Sequence, residues 1–123
     1  MLRGLGARVH VFARPENQEE LTSLFRDVLG CKVVERDFGL AHPILFVSFS
    51  DGSGFSVEFS ENVRVDAPCG TWIEFRAQDA EKARQALRSA GVPEFRHAGS
   101  THAYFSAPGG QVFRILDLDY AGP

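Results

Sequence analysis

Apolar and polar positions change period several times along the chain. From Arg8 to Phe12 the run RVHVF is short, β-branched and aromatic, and it predicts a strand that ends before Arg14-Pro15. From Pro15 to Leu29 the residues Leu21, Leu24, Phe25, Val28 and Leu29 recur at three- and four-residue spacing. Glu16, Glu19 and Glu20 lie near the start of this stretch, and Gly30 follows it. That pattern predicts an amphipathic helix with acidic residues at its positive end and a glycine stop. CKVVERDF, PILFVSFS and GFSVEFSE then read as three strands, the last two joined by the hairpin signal Asp51-Gly52-Ser53-Gly54. NVRVDAPCG, residues 62–70, has no period and contains Pro and Gly, so it is expected to be a linker.

The same order then returns. TWIEFRA predicts a strand, Asp79 an N-cap, AEKARQALRSA an Ala-rich helix, and Gly91 its end. EFRHAG, HAYFSAP and QVFRILDLD follow as three strands, with Pro108-Gly109-Gly110 as the turn between the last two. The chain thus reads as an internal duplication of about 60 residues per copy. A ferredoxin-like domain also repeats β-α-β, but eight strands and two helices favour a duplicated β-α-β-β-β unit. The expected class is α+β: one domain over residues 1–123, with module one at about 7–61, a linker at 62–70 and module two at about 71–119.

With 123 residues, one domain with one core is the natural size. The net charge is -3 and the basic residues are scattered, which argues against a nucleic-acid partner. The longest apolar runs fall well short of a membrane span, and the start MLRGLGARVHVF lacks the core of a signal peptide. Cys31 and Cys69 form no C-x-x-C pair and read as ordinary thiols, so a cytoplasmic setting is expected. Eleven Phe against one Trp and two Tyr, mostly in alternating segments, suit a sheet-based core or a cavity for an apolar ligand.

Several segments carry a family resemblance. VHVFARPENQEELTSLFRDVLGCKVVERD resembles the opening strand, helix and L-G turn of the vicinal oxygen chelate superfamily, which includes glyoxalases, bleomycin resistance proteins and extradiol dioxygenases. GTWIEFRAQDAEKARQALRSAGV and FSAPGGQVFRILD resemble its second helix and closing hairpin, so the likeness covers nearly the whole chain. It implies two modules that form a cupped mixed sheet around a ligand cavity, with the helices on the convex side, often in a homodimer. It does not fix a function, because the superfamily holds metal-dependent enzymes and metal-free binding proteins.

In metal-binding members the ligands lie on the first and fourth strands of each module. His10 and Glu58 match that pattern in module one, and both residue types ligate divalent metals. In module two the corresponding places fall on Trp72, or Thr71 one residue earlier, and on Arg114. Neither Trp nor Arg ligates, and a permanently charged guanidinium repels a cation. Strand alternation sends Phe55, Val57, Phe59, Ile73, Phe75, Phe113 and Ile115 toward the helices, which leaves His10, Glu58, Trp72, Glu74 and Arg114 in the cup. Glu58 and Arg114, at equivalent places in the two modules, are expected to form an ion pair where relatives hold the metal. Alternatively, Arg114 is expected to grip an anionic ligand beside Trp72, or to form a solvated pair with Glu74 or Glu58 on an unused cup. His42, His97 and His102 read as loop residues.

Three functions are compatible with this reading. The first is a metal-free homodimer that binds a small aromatic or anionic molecule through His10, Glu58, Trp72, Glu74 and Arg114. The second is an enzyme: a lyase, isomerase or dioxygenase with one divalent metal on His10, Glu58 and Glu74, or a metal-free catalyst using His10. The third is a structural module with its cup filled by side chains.

Overall fold

The computed structural model describes residues 1–63, 71–96 and 100–122. Module one runs β1 (His10–Ala13), α1 (Gln18–Ser23), β2 (Lys32–Arg36), β3 (Ile44–Ser48) and β4 (Gly54–Phe59). Module two repeats the plan with β5 (Trp72–Ala77), α2 (Ala80–Ser89), β6 (Glu94–Arg96), β7 (Ala103–Ser106) and β8 (Val112–Asp117). Each module forms its own four-stranded mixed sheet, ordered β1-β4-β3-β2 and β5-β8-β7-β6. In both, the first strand pairs parallel with the fourth, and the remaining pairs are antiparallel. The α+β class and the two-module order expected from the sequence are therefore present.

The first helix departs from the single amphipathic helix that the spacing predicts. A 3-10 turn at Pro15–Asn17 leads into α1, and the segment Leu24–Val28 is a π-turn. There the Leu29 amide donates to the Leu24 carbonyl at 3.0 Å, five residues back. Leu24 and Phe25, at the start of this turn, are both buried. Gly30 ends the segment at φ 71°, as a left-handed stop requires. In module two Asp79 caps α2 as expected, its side chain accepting from the Lys82 amide.

One face of each sheet enters a common core. Leu45, Val47, Phe55, Val57 and Phe59 of module one and Phe105, Phe113 and Ile115 of module two belong to a single apolar cluster with Leu21, Leu24, Phe25 and Leu87 of the helical segments. Phe25 holds the halves together. Its ring lies 5.0 Å from Phe55, 6.1 Å from Phe75 and 6.4 Å from Phe113, measured between centroids. Phe55 also stacks on Phe75 at 5.7 Å. The helix-facing sides of the two modules are thus packed together within one chain, and the opposite face of each sheet is turned away from that core. No helix among the described residues is long and apolar enough to cross a membrane.

Candidate functional site

The five side chains assigned to the cup are brought together as two groups, one on the outward face of each module. In module one, parallel pairing sets His10 of β1 opposite Ser56 of β4, with Glu58 two residues further along the same face. The His10 Nδ1 lies 2.6 Å from Ser56 Oγ, and Nε2 lies 3.0 Å from Glu58 Oε1. A carboxylate only accepts, so the proton on Nε2 points to Glu58, and Nδ1 is left to accept from the Ser56 hydroxyl. The Phe12 ring meets the imidazole edge-on at 5.2 Å. Phe12 is itself exposed, as are Val34 and Phe38 near the same face, so this face is apolar around a polar centre.

In module two, β5 and β8 set Glu74 directly opposite Arg114. Glu74 Oε1 accepts from Arg114 Nη2 at 2.8 Å and Nε at 3.1 Å, and its Oε2 accepts from Arg76 Nε at 2.8 Å. Arg114 Nη1 donates to the Tyr104 hydroxyl at 3.3 Å. The guanidinium lies 4.4 Å from the Trp72 ring centre, and Trp72 meets Tyr104 edge-on at 5.8 Å. Arg114 is only 8% exposed, whereas Trp72 is 44% exposed. This arrangement is a rigid cation under an accessible indole.

Two guanidiniums share one carboxylate here, and the electrostatics follow. Burial alone would raise the Glu74 pKa, but the hydrogen bonds from Arg114 and Arg76 outweigh it and hold the carboxyl below its ordinary range. Burial alone would lower that of Arg114, and the bonds to Glu74 and Tyr104 reverse the direction. Arg76 is anchored in turn by the carbonyls of Asp117 and Tyr120.

The ion pair expected between Glu58 and Arg114 is not formed. Glu58 is taken by His10, and Arg114 by Glu74. Equivalent positions in a duplicated fold are related by the pseudo-symmetry of the modules, which does not make them neighbours: Arg114 pairs with Glu74, its in-register partner, and Glu58 with His10 on the adjacent strand, two residues off register. The metal set His10, Glu58 and Glu74 is divided in the same way. Among the described residues no three His, Cys, Asp or Glu side chains converge as a metal-binding group. Arg114 and Trp72 have no lone pair to offer, so the residues within one chain do not fit a conventional four-ligand centre.

Among the remaining candidates, His102 borders the module-two group through Tyr120, whose carbonyl accepts from Arg76. His42 Nε2 is 4.0 Å from a Glu61 oxygen, and His102 Nε2 is 3.1 Å from the Tyr120 hydroxyl. Cys31 is half-buried, which pushes its thiol pKa up and makes it a poor nucleophile. His97 and Cys69 lie outside the described residues. A cavity of about 660 Å³ is lined by Leu24, Val28, Val92, Pro93 and Pro108 among others, at the junction of the first helix with module two and away from both groups. Alternation already sends Ser56 and Arg76 to the cup side of their strands without marking them as site residues, and Tyr104, which accepts from Arg114 Nη1, is not placed there by the sequence. Ser56 and Arg76 are each an even number of residues from a cup-facing neighbour on the same strand, Glu58 and Glu74.

No protein-family model and no curated protein matches the sequence. Solved structures do match. A protein from Bacillus anthracis assigned to the glyoxalase family superposes with TM-score 0.70 at 13% identity, over 95% of this chain and 98% of that one. A variant of the fosfomycin resistance protein FosX from Listeria monocytogenes, complexed with Mn(II) and 1S,2S-dihydroxypropylphosphonic acid, superposes with TM-score 0.67 at 15% identity, over 100% of this chain and 95% of that one. TnmS3, an antibiotic binding protein from Streptomyces sp. CB03234, gives 0.65 at 18%, over 95% and 98%. Likeness at this identity carries the architecture and leaves the chemistry open: the chain has the two-module fold seen in these glyoxalase-family, fosfomycin resistance and antibiotic binding proteins.

Proposed function

We propose that the protein binds a small aromatic or anionic molecule without a metal ion, in a cup completed when two copies of the chain associate. The observation that carries this reading is the Arg114 guanidinium, buried, stacked on Trp72 and fixed by Glu74. It supplies a resident positive charge beside an exposed aromatic surface, the two features that a flat anion requires. The homodimer is supported by the direction of the two faces. Both are turned away from the chain's own core, and each presents exposed apolar side chains, Phe12 and Val34 on the first and Trp72 on the second. Such a cup suits the role of TnmS3 as an antibiotic binding protein, and a cytoplasmic location fits the reading.

Trp72 is the only tryptophan, so its emission reports on this face directly. Titration with benzoate- and naphthoate-type acids is expected to change that emission saturably, with neutral amides of the same rings binding at least about tenfold more weakly, the worth of one charge-assisted hydrogen bond. Arg114→Leu should abolish the preference. Equal binding of acid and amide would refute the reading. Stoichiometric metal in the purified protein, lost in His10→Ala, would replace it with a divalent-metal lyase, isomerase or dioxygenase.

A further inference from the structure

We infer that Ser56, His10 and Glu58 form a hydrogen-bonded relay that makes Ser56 a nucleophile toward activated esters. A hydroxyl becomes reactive when a base sits within hydrogen-bond reach and a third group orients that base. Both contacts are made here, at 2.6 Å from Ser56 Oγ to His10 Nδ1 and 3.0 Å from His10 Nε2 to Glu58 Oε1. The three residues come from adjacent strands in fixed register, and the imidazole is braced edge-on by Phe12. His10 is exposed and Ser56 half-buried, so an electrophile reaches the hydroxyl from solvent. All three belong to module one, so the inference does not rest on ligand binding at Trp72 and Arg114.

The step balances without a cofactor. Ser56 Oγ attacks the ester carbonyl carbon and its proton passes to His10 Nδ1, while Glu58 holds the Nε2 proton of the imidazolium so formed. The bond from carbon to the leaving oxygen breaks as Nδ1 returns its proton to that oxygen, which leaves Ser56 as an acyl ester and releases an alcohol or phenol. Water, deprotonated by the same nitrogen, then frees the acid and restores Ser56. The Ser56 amide is bonded to the Val9 carbonyl at 3.1 Å and so does not stabilise the developing oxyanion. Reactivity is therefore confined to esters with good leaving groups, such as aryl acetates. Ser56 and His10 touch the reacting atoms, and Glu58 is a positioning residue.

The full chain is treated with p-nitrophenyl acetate and followed by intact mass and peptide mapping. In samples quenched with acid before deacylation is complete, one acetyl group on Ser56 is expected, absent in Ser56→Ala and retained in Ser60→Ala. His10→Ala should slow acetylation about a hundredfold or more, the usual worth of a positioned base. Glu58→Gln presents an amide N–H to Nε2 and so moves the ring proton to Nδ1, where it blocks acceptance from Ser56. The imidazole ¹⁵N shifts should show this tautomer change, and Glu58→Asp should restore part of the rate. Acetylation at other residues only, an unchanged rate in His10→Ala, or a wild-type ring protonated on Nδ1 would each overturn the inference.

Discussion

Glu74 and Arg114 face each other across the parallel strands β5 and β8, and one oxygen of the carboxylate accepts from two nitrogens of the guanidinium at 2.8 and 3.1 Å. The second oxygen belongs to Arg76, so the carboxylate links two cations that would otherwise repel. Loss of Arg114 leaves Glu74 one partner, whereas loss of Glu74 leaves two guanidiniums with none in common. Arg114→Ala is expected to cost about 2–3 kcal/mol, between the values for an exposed pair and a fully buried one. Urea denaturation of both single variants and the double variant should give a coupling energy of at least about 1 kcal/mol. Additive effects would mean that the pair contributes nothing of its own.

The same carboxylate sets a pH dependence. Its folded-state pKa is depressed below the ordinary 4.5 by the two arginines, against the opposing effect of burial. A depressed acid contributes stability that is complete above the unfolded-state value and is lost as pH falls through the folded-state value. Wild-type protein should therefore lose stability as pH drops from about 5 to 3, and Glu74→Gln should lose less over that window. Several exposed carboxylates, Glu81 and Glu94 among them, shift in the same direction, but water screens them, so the difference between the two proteins isolates Glu74. Parallel denaturation curves at pH 7 and pH 3 make the comparison.

The cap of α2 offers a local test. The Asp79 side chain is the acceptor for the Lys82 amide at 3.0 Å, and Asp79→Ala should reduce stability by about 1 kcal/mol. Asp79→Ser, which keeps an acceptor, should recover most of it. The readout is the midpoint of thermal or urea unfolding.

Gly54 tests the β3–β4 hairpin. A Cβ at this position would strike the Val47 carbonyl oxygen, which belongs to the strand backbone and has no room to move. Gly54→Ala should cost about 1–3 kcal/mol through this overpacking. Gly52→Ala, where φ is 88° and the surroundings are open, should cost less and through backbone strain alone.

The sequence carried the fold further than it carried the site. Period-two alternation in GFSVEFSE separated Phe55 and Val57 from Glu58 correctly, because β4 is fully buried on one face only, and in QVFRILDLD the polar Arg114 between Phe113 and Ile115 marked the two faces although both are buried in β8. The π-turn at Leu24–Val28 left no mark, since apolar spacing over one turn does not distinguish a wider bond pattern. The sequence leaves the partner of Arg114 open between Glu58 and Glu74 for a deeper reason. Alternation tells which face a side chain takes but not which strand lies beside it. Once the parallel neighbours β5 and β8 are known, Glu74 becomes the adjacent carboxylate and Glu58 does not.

Phe25 touches rings from both halves of the molecule, and neither module has a full core without the other's aromatic side chains. The duplication visible in the chain is consequently one of architecture and not of autonomy. Cut between the repeats, the two fragments should each stay largely unstructured when alone and regain order on mixing, so that the ancestral-looking half is no longer a protein in its own right.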